Sequence, residues 1–250
     1  MAITIKSERE IELMAEAGKI LERVHNELEK ALHPGMSTKD IDTLGEKIIR
    51  SYGCIPSFLN YNGYPASICV SVNQEVVHGI PDKHRIIHEG DIVSLDAGVI
   101  YKGYHSDAAR THAVGEVSEE AKKLIQVTKE CFFEGIKYAK AGNHLFDISG
   151  AIGRYAEERG YGVVRDLCGH GIGTALHEAP EIPNYEVGRK GVKLRPGMTL
   201  AIEPMINMGR PDIFVDDSNG WTIYTDDRLP SAQREIMVLV TETGHEVLAW

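Results

Sequence analysis

Two aspartates set eleven residues apart, Asp96 and Asp107, are the first pair in this sequence whose type and spacing could do chemistry. They lie in GDIVSLDAGVIYKGYHSD, residues 90–107, which reads as a strand with Val93 and Leu95 alternating against polar neighbours, a turn at Lys102-Gly103, and a return strand. A hairpin there sets the two carboxylates side by side, where they repel unless a cation or a shared proton lies between them. Solvated turn aspartates would need neither, but a second acidic pair weighs against that bland reading. Glu203 ends a strand in PGMTLAIEP, and Glu235 stands on a return strand in SAQREIMVLVTETG, thirty-two residues later. Four acids drawn to one partly buried spot raise each other's pKa or recruit cations, and four suggest two divalent ions with bridging carboxylates. His170, in CGHGIGTALHEAP, adds an imidazole among glycines that permit close backbone approach. His177 follows at a spacing of seven, so the chain must turn or bulge between the two for both to face one pocket. His78, in SVNQEVVHGIP, sits between a strand and a turn and suits a pocket rim. The other histidines, His25, His33, His84, His88, His105, His112, His144 and His245, read as surface or helix residues.

The elements that hold these side chains form a doubled pattern. Ser7 and Glu10 have capping-box spacing, and Ile11, Met14, Gly18, Leu21, Val24 and Leu28 trace a helix that stops at His33-Pro34-Gly35. A second helix starts near Ser37 or Thr38 and ends at Tyr52-Gly53, followed by an aromatic loop, SFLNYNGY, and a short strand, SICVSV. After Gly115 the order begins again, with one helix from Ser118 to Ala141-Gly142 and another ending at Arg159-Gly160. A single offset of 107 residues lays Gly35 on Gly142, Asp40 on Asp147, Gly53 on Gly160, Gly90 on Gly197 and Asp96 on Glu203. The offset predicts one domain over 1–250 with pseudo-repeats over 7–115 and 118–244. The fold class is α/β (α+β): each repeat supplies two helices and a hairpin, and the four hairpin strands meet in one antiparallel sheet covered by the helices. Glu235 is then the second-half partner of Asp107.

Bulk properties narrow the function. A chain of 250 residues, 42% hydrophobic, can bury one large core. A net charge of −10 without a Lys/Arg run excludes a nucleic-acid surface. Four cysteines without a C-x-x-C pair suggest reduced thiols rather than a zinc knuckle or a disulfide scaffold. With no signal-like h-region and no run of eighteen apolar residues, a soluble cytoplasmic protein with no membrane partner is expected.

Taken together, SVNQEVVHGIP, GDIVSLDAG, GYHSD, GHGIGTALHE, PGMTLAIEPM, NGWT and SAQRE resemble, in order and spacing, the type I methionine aminopeptidases, and the match spans nearly the whole chain. The resemblance implies the pita-bread fold and removal of the N-terminal methionine from peptides and nascent chains ahead of a small second residue. It implies two divalent ions (Co, Mn, Fe or Zn) on Asp96, Asp107, His170, Glu203 and Glu235, with Asp107 and Glu235 bridging. Glu203 would relay a proton, and His78 and His177 would contact the substrate. Tyr61, Tyr64, Cys69 and Trp221 would line the methionine pocket, with Leu176 at an often aromatic position. A monomer with transient ribosome association is implied as well. Ala108 and the pair Ile236-Met237 depart from the family pattern, and loss of hydrogen bonds behind the ligands is expected there. A proline-specific aminopeptidase or dipeptidase of the same fold and a non-catalytic binding member are the alternatives. The first usually carries a long extra N-terminal domain, and the second has typically lost ligands.

Overall fold

The computed structural model describes residues 2–249. Its earlier part runs α1 (Glu8–Ala31), α2 (Thr38–Ser51), β1 (Ile55–Pro56), a single 3-10 turn over Tyr61–Gly63, β2 (Ile68–Val72), β3 (Glu75–Val77), and then β4 (Ile92–Tyr101) and β5 (Tyr104–Ala113). Its later part runs α3 (Glu119–Ile136), α4 (Leu145–Glu157), β6 (Gly162–Val163), β7 (Gly169–Gly171), β8 (Glu178–Ile182), β9 (Thr199–Ile202) and β10 (Met205–Asn207). β11 (Ile213–Val215), β12 (Ile223–Thr225), β13 (Ser231–Val240) and β14 (His245–Ala249) complete it. The mixed α/β architecture around an antiparallel sheet is the one the sequence leads one to expect.

The helix starts follow from local chemistry. Ser7 and Ser37 each accept from the N3 backbone N–H while Glu10 and Asp40 reach back to the cap, which satisfies donors the first turn would otherwise leave open. Ser118 caps α3 through Ala121 N. Lys102 and Gly103 both take positive φ, 50° and 86°, so the β4–β5 connection is a two-residue turn whose twist matches the flanking strands.

One large sheet organises the chain, with the strand order β1-β4-β5-β13-β9-β7-β8 along its main path. β4, β5, β13 and β9 are consecutive neighbours, all antiparallel. α1 lies over β4 and β5, and α3 over β13. Met14, Leu21, Val24 and Leu28 of α1 share a core with Val93, Leu95, Ala97 and Val99 of β4. Each of the larger of these side chains, the methionine, leucines and valines, contributes roughly 1.5–3 kcal/mol. α1 presses closely on the C-terminal strand: a Cβ at Gly18 would lie 1.6 Å from Leu248 O, so only glycine fits there. With one face taken by helices, the residues that alternate onto the other face are free to line a cleft.

Candidate metal centre and substrate cleft

Register decides which side chains share that free face. Across β4 and β5, Asp96 stands opposite Ala109, and Asp107 opposite Gly98. The two aspartates are therefore diagonal neighbours on one face rather than directly paired. Gly98 has no alternative there, since a Cβ would fall 2.7 Å from Ser57 Cβ and 3.0 Å from the Phe58 ring. Glu235 of β13 also stands opposite Ala109, which puts it on the same face, diagonal to Asp107. β13 pairs Ile236 with Ile202 of β9 and Gln233 with Met205 of β10, so Glu203 falls opposite Glu235. His170 of β7 pairs with Ala201, two residues before Glu203, and joins the same face. Five adjacent strand positions thus each present one of Asp96, Asp107, Glu235, Glu203 and His170 to a single cleft.

Distances agree with the register. His170 Nε2 lies 3.8 Å from Asp107 Oδ2, from Glu203 Oε1 and from Glu235 Oε1. Ligand atoms of Asp107, His170 and Glu235 lie within 4.8 Å of one another. His170 Nδ1 bonds Gly171 O at 2.9 Å, which turns Nε2 toward the acids. Gly169 and Gly171 admit carbonyls of the neighbouring strands to 2.4 and 2.2 Å of where Cβ atoms would stand.

The electrostatics of this cluster call for a cation or for retained protons. Burial, then the neighbouring acids, holds the carboxyls of Asp96, Glu203 and Glu235 well above their ordinary range, and burial pushes Asp107 up to about 7. Burial also drives His170 down to about 3, so its ring is neutral and free to donate a lone pair. Asp96 Oδ1, Asp107 Oδ1 and Glu235 Oε1 are buried with no hydrogen-bond partner. Orphaned acceptors of this kind cost about 1–3 kcal/mol each, more for charged groups, unless something binds them. Four carboxylates and one neutral imidazole with open oxygens fit divalent transition ions.

Around the acids opens a cavity of about 1050 Å³, lined by all of the sequence-predicted site residues together with Phe58 and Leu176. Tyr64 and Trp221 meet edge to face at 5.2 Å, and His78 stands edge-on to Trp221 at 6.2 Å. Tyr64 donates its hydroxyl to Gly79 O at 2.9 Å, which fixes the ring against the His78 turn. His78 itself has a φ of 59°, left-handed backbone for a non-glycine residue in the cleft. Cys69 is paired with Asp96 on the cleft face, and burial raises its thiol well above its usual value. The expected bulge between His170 and His177 is present as a register shift at His170 and Gly171. It brings the two rings within 4.2 Å, and Tyr61 Oη holds His177 Nδ1 at 2.8 Å.

Several readings need correction. His25 is a helix residue, in α1, but it is fully buried, with Nε2 on Ala108 O at 2.8 Å. His112 and His105 are also largely enclosed, and burial lowers both to about 4. Ala108 and Ile236 stand opposite each other on β5 and β13 with their side chains turned away from the acids, into the cores under α1 and α3. Their apolar character therefore removes no side-chain hydrogen bond to the carboxylates. Sequence reasoning missed Gln233, which bonds the Glu203 carboxylate, and Asn184, which donates to Glu203 O at 3.0 Å. Alternation from Glu235 would have placed Gln233 on the cleft face.

A model of metallopeptidase family M24 matches residues 12–242. The chain belongs to this family. Within M24 it groups with the methionine aminopeptidases: that of Clostridium acetobutylicum is 54% identical over 246 residues, 98% of each chain. The methionine aminopeptidase structure from Rickettsia prowazekii superposes with a TM-score of 0.97 at 39% identity, covering 100% of both chains. The Xaa-Pro dipeptidase structure from Bacillus anthracis gives a TM-score of 0.78 at 29% identity, and the chain spans 61% of its length. An M24 metallopeptidase is a metal-dependent hydrolase, and Asp107, His170 and Glu235 form a candidate cluster for a divalent ion. Among the described residues no helix is long and apolar enough to cross a membrane.

Proposed function

We propose that the chain removes the N-terminal methionine from peptides and nascent proteins, acting in the cytoplasm as one catalytic domain over 1–250 built of the repeats 7–115 and 118–244. The observation that carries the reading is the convergence of five ligand-type side chains, four of them buried and Glu203 partly so, from adjacent strand positions, beside an aromatic-walled cleft. Asp96, Asp107, His170, Glu203 and Glu235 would hold two divalent ions of the Co, Mn, Fe or Zn class, with Asp107 and Glu235 the diagonal neighbours at the centre of the ligand set. Bound metal supplies a water acidified toward neutral pH and a Lewis acid for the peptide carbonyl.

The protein's own groups do the rest. Glu203, held by Gln233 through its carboxylate and by Asn184 through its backbone, moves a proton toward the leaving amine. His177, oriented by Tyr61, donates to the developing oxyanion. His78 contacts the substrate from the Trp221 side. An unbranched, polarizable methionine side chain suits the walls made by Tyr61, Tyr64, Cys69 and Trp221, with Phe58 beneath. The deciding experiment is metal-reconstituted cleavage of Met-Ala-Ser against Xaa-Pro-Ala peptides. Release of methionine from the first is expected; preference for the proline peptide assigns a proline-specific aminopeptidase instead, and absence of both activities with no bound metal assigns a binding protein.

A further inference from the structure

The wall of the cleft that carries His177 is braced from outside the cleft. Between β7 and β8 the chain leaves the ladder, and this segment is held by few backbone bonds: Ile172 N to Thr199 O at 3.3 Å, Gly173 N to Ala175 O at 3.1 Å, and His105 N to Gly173 O at 2.8 Å. Glu178, next after His177, uses both carboxylate oxygens to tie the segment down. Oε1 accepts from Ala175 N at 3.3 Å, and Oε2 accepts from Lys6 Nζ and Thr4 Oγ1, both at 2.6 Å. Lys6 is only 7% exposed, and its backbone N donates to Gly197 O at 2.8 Å, which anchors it at the turn leading into β9. Its stem occupies the space a side chain at Gly173 would need, with Cε 2.5 Å from the ideal Cβ position.

We propose that Lys6, through its buried ion pair with Glu178, is a positioning residue that sets His177 against the substrate. The inference rests on the reading of His177 as a substrate contact. An ammonium group buried for packing alone would cost several kcal/mol against an apolar residue of like length, and the pair recovers that cost only when its geometry is good and the remaining donors and acceptors are used. Here they are used, by Thr4 and Ala175, so the carboxylate cannot rotate without drawing the His177 backbone with it. The ring itself is then located by Tyr61 on Nδ1 and by the His170 edge.

The test compares Lys6→Met, Lys6→Arg and the double variant Lys6→Met/Glu178→Gln with wild type, as manganese-loaded full-length enzymes acting on Met-Ala-Ser. Lys6→Met is expected to lower kcat on the order of 10-fold with KM within about 2-fold of wild type and metal content unchanged. Lys6→Arg recovers most of the rate. In the double variant no charge is left unpaired, so its melting temperature returns toward wild type while kcat stays low. Wild-type kcat in Lys6→Met, or a kcat that recovers in step with melting temperature in the double variant, overturns the proposal and leaves the aminopeptidase reading intact. Failure of the wild-type enzyme to cleave Met-Ala-Ser overturns both.

Discussion

Asp107→Asn should stabilise the metal-free protein and abolish the response to metal, because the same carboxylate is a liability without a cation and a ligand with one. Burial raises Asp107 from 3.8 to about 7 in the folded state. The folded chain therefore holds this proton more tightly than the unfolded chain. Its stabilising contribution is complete below pH 3.8 and is lost as the pH rises to about 7. At about 1.4 kcal/mol per pH unit, those three units cost the metal-free protein on the order of 4 kcal/mol at about pH 8. Asparagine has no such proton to lose, so the metal-free variant melts higher than wild type there, by roughly 8–16 °C for a chain of this size. Divalent metal at about 100 times its dissociation constant returns some 2.7 kcal/mol to the wild type. The variant, lacking the oxygen anion at the centre of the cluster, gains little. Thermal unfolding of chelator-treated protein across about pH 4.5–8, with and without added manganese, reads both signs; removing the Asp107 charge also relieves the raised carboxyls of Asp96, Glu203 and Glu235, which acts in the same direction. Melting curves that run parallel at all pH values, or equal stabilisation of both proteins by manganese, would refute the account of Asp107 as a buried, cation-dependent carboxylate.

The remaining predictions separate ligands from substrate contacts and from packing residues. His177→Ala should lower kcat about 10²-fold, as loss of one oxyanion donor does, with metal content unchanged by elemental analysis; an emptied site would make His177 a ligand instead. For His78→Ala, turnover or substrate affinity falls while metal stays bound, and metal loss would move His78 into the ligand set. Ile236→His buries an imidazole in the core with Leu124 and Phe132, so denaturant unfolding should show a loss of about 2–4 kcal/mol at unchanged metal affinity. A change in metal affinity there would mean that this position reaches the carboxylates after all.

How much of this was legible in the sequence depends on whether the information was local. Ser7–Glu10 and Ser37–Asp40 announce helix starts because a capping box is complete within four residues. Lys102-Gly103 fixes the β4–β5 register because a two-residue turn leaves no freedom. From that register alone Asp96 and Asp107 must share a face. The pairing of β5 with β13 brings together residues more than a hundred positions apart, and no local signal sets it. That non-local pairing decides that Arg110 and Arg234 stand opposite each other and that Ala108 and Ile236 do as well. His25 of α1 is sealed against the sheet on Ala108 O, a burial that the helical pattern alone did not show.

The offset of 107 residues illustrates the limit. It carries Asp96 onto Glu203 and Gly98 onto Met205. Since Asp107 faces Gly98 and Gln233 faces Met205, the positional counterpart of Asp107 in the later hairpin is Gln233, while Glu235 corresponds to Ala109. The two hairpins thus place their second acid two residues apart in register. Asp107 sits diagonal to Asp96, whereas Glu235 stands directly across from Glu203, where a glutamate side chain, one methylene longer, still reaches the cluster. At the place where strict symmetry would have put a fifth acid, Gln233 bonds Glu203 instead. A fifth carboxylate would have added one more raised pKa to a site that already holds four, with no further cation to offset it. Departure from the repeat at this position therefore holds the cluster at four carboxylates, a charge that the two divalent ions proposed above would neutralise.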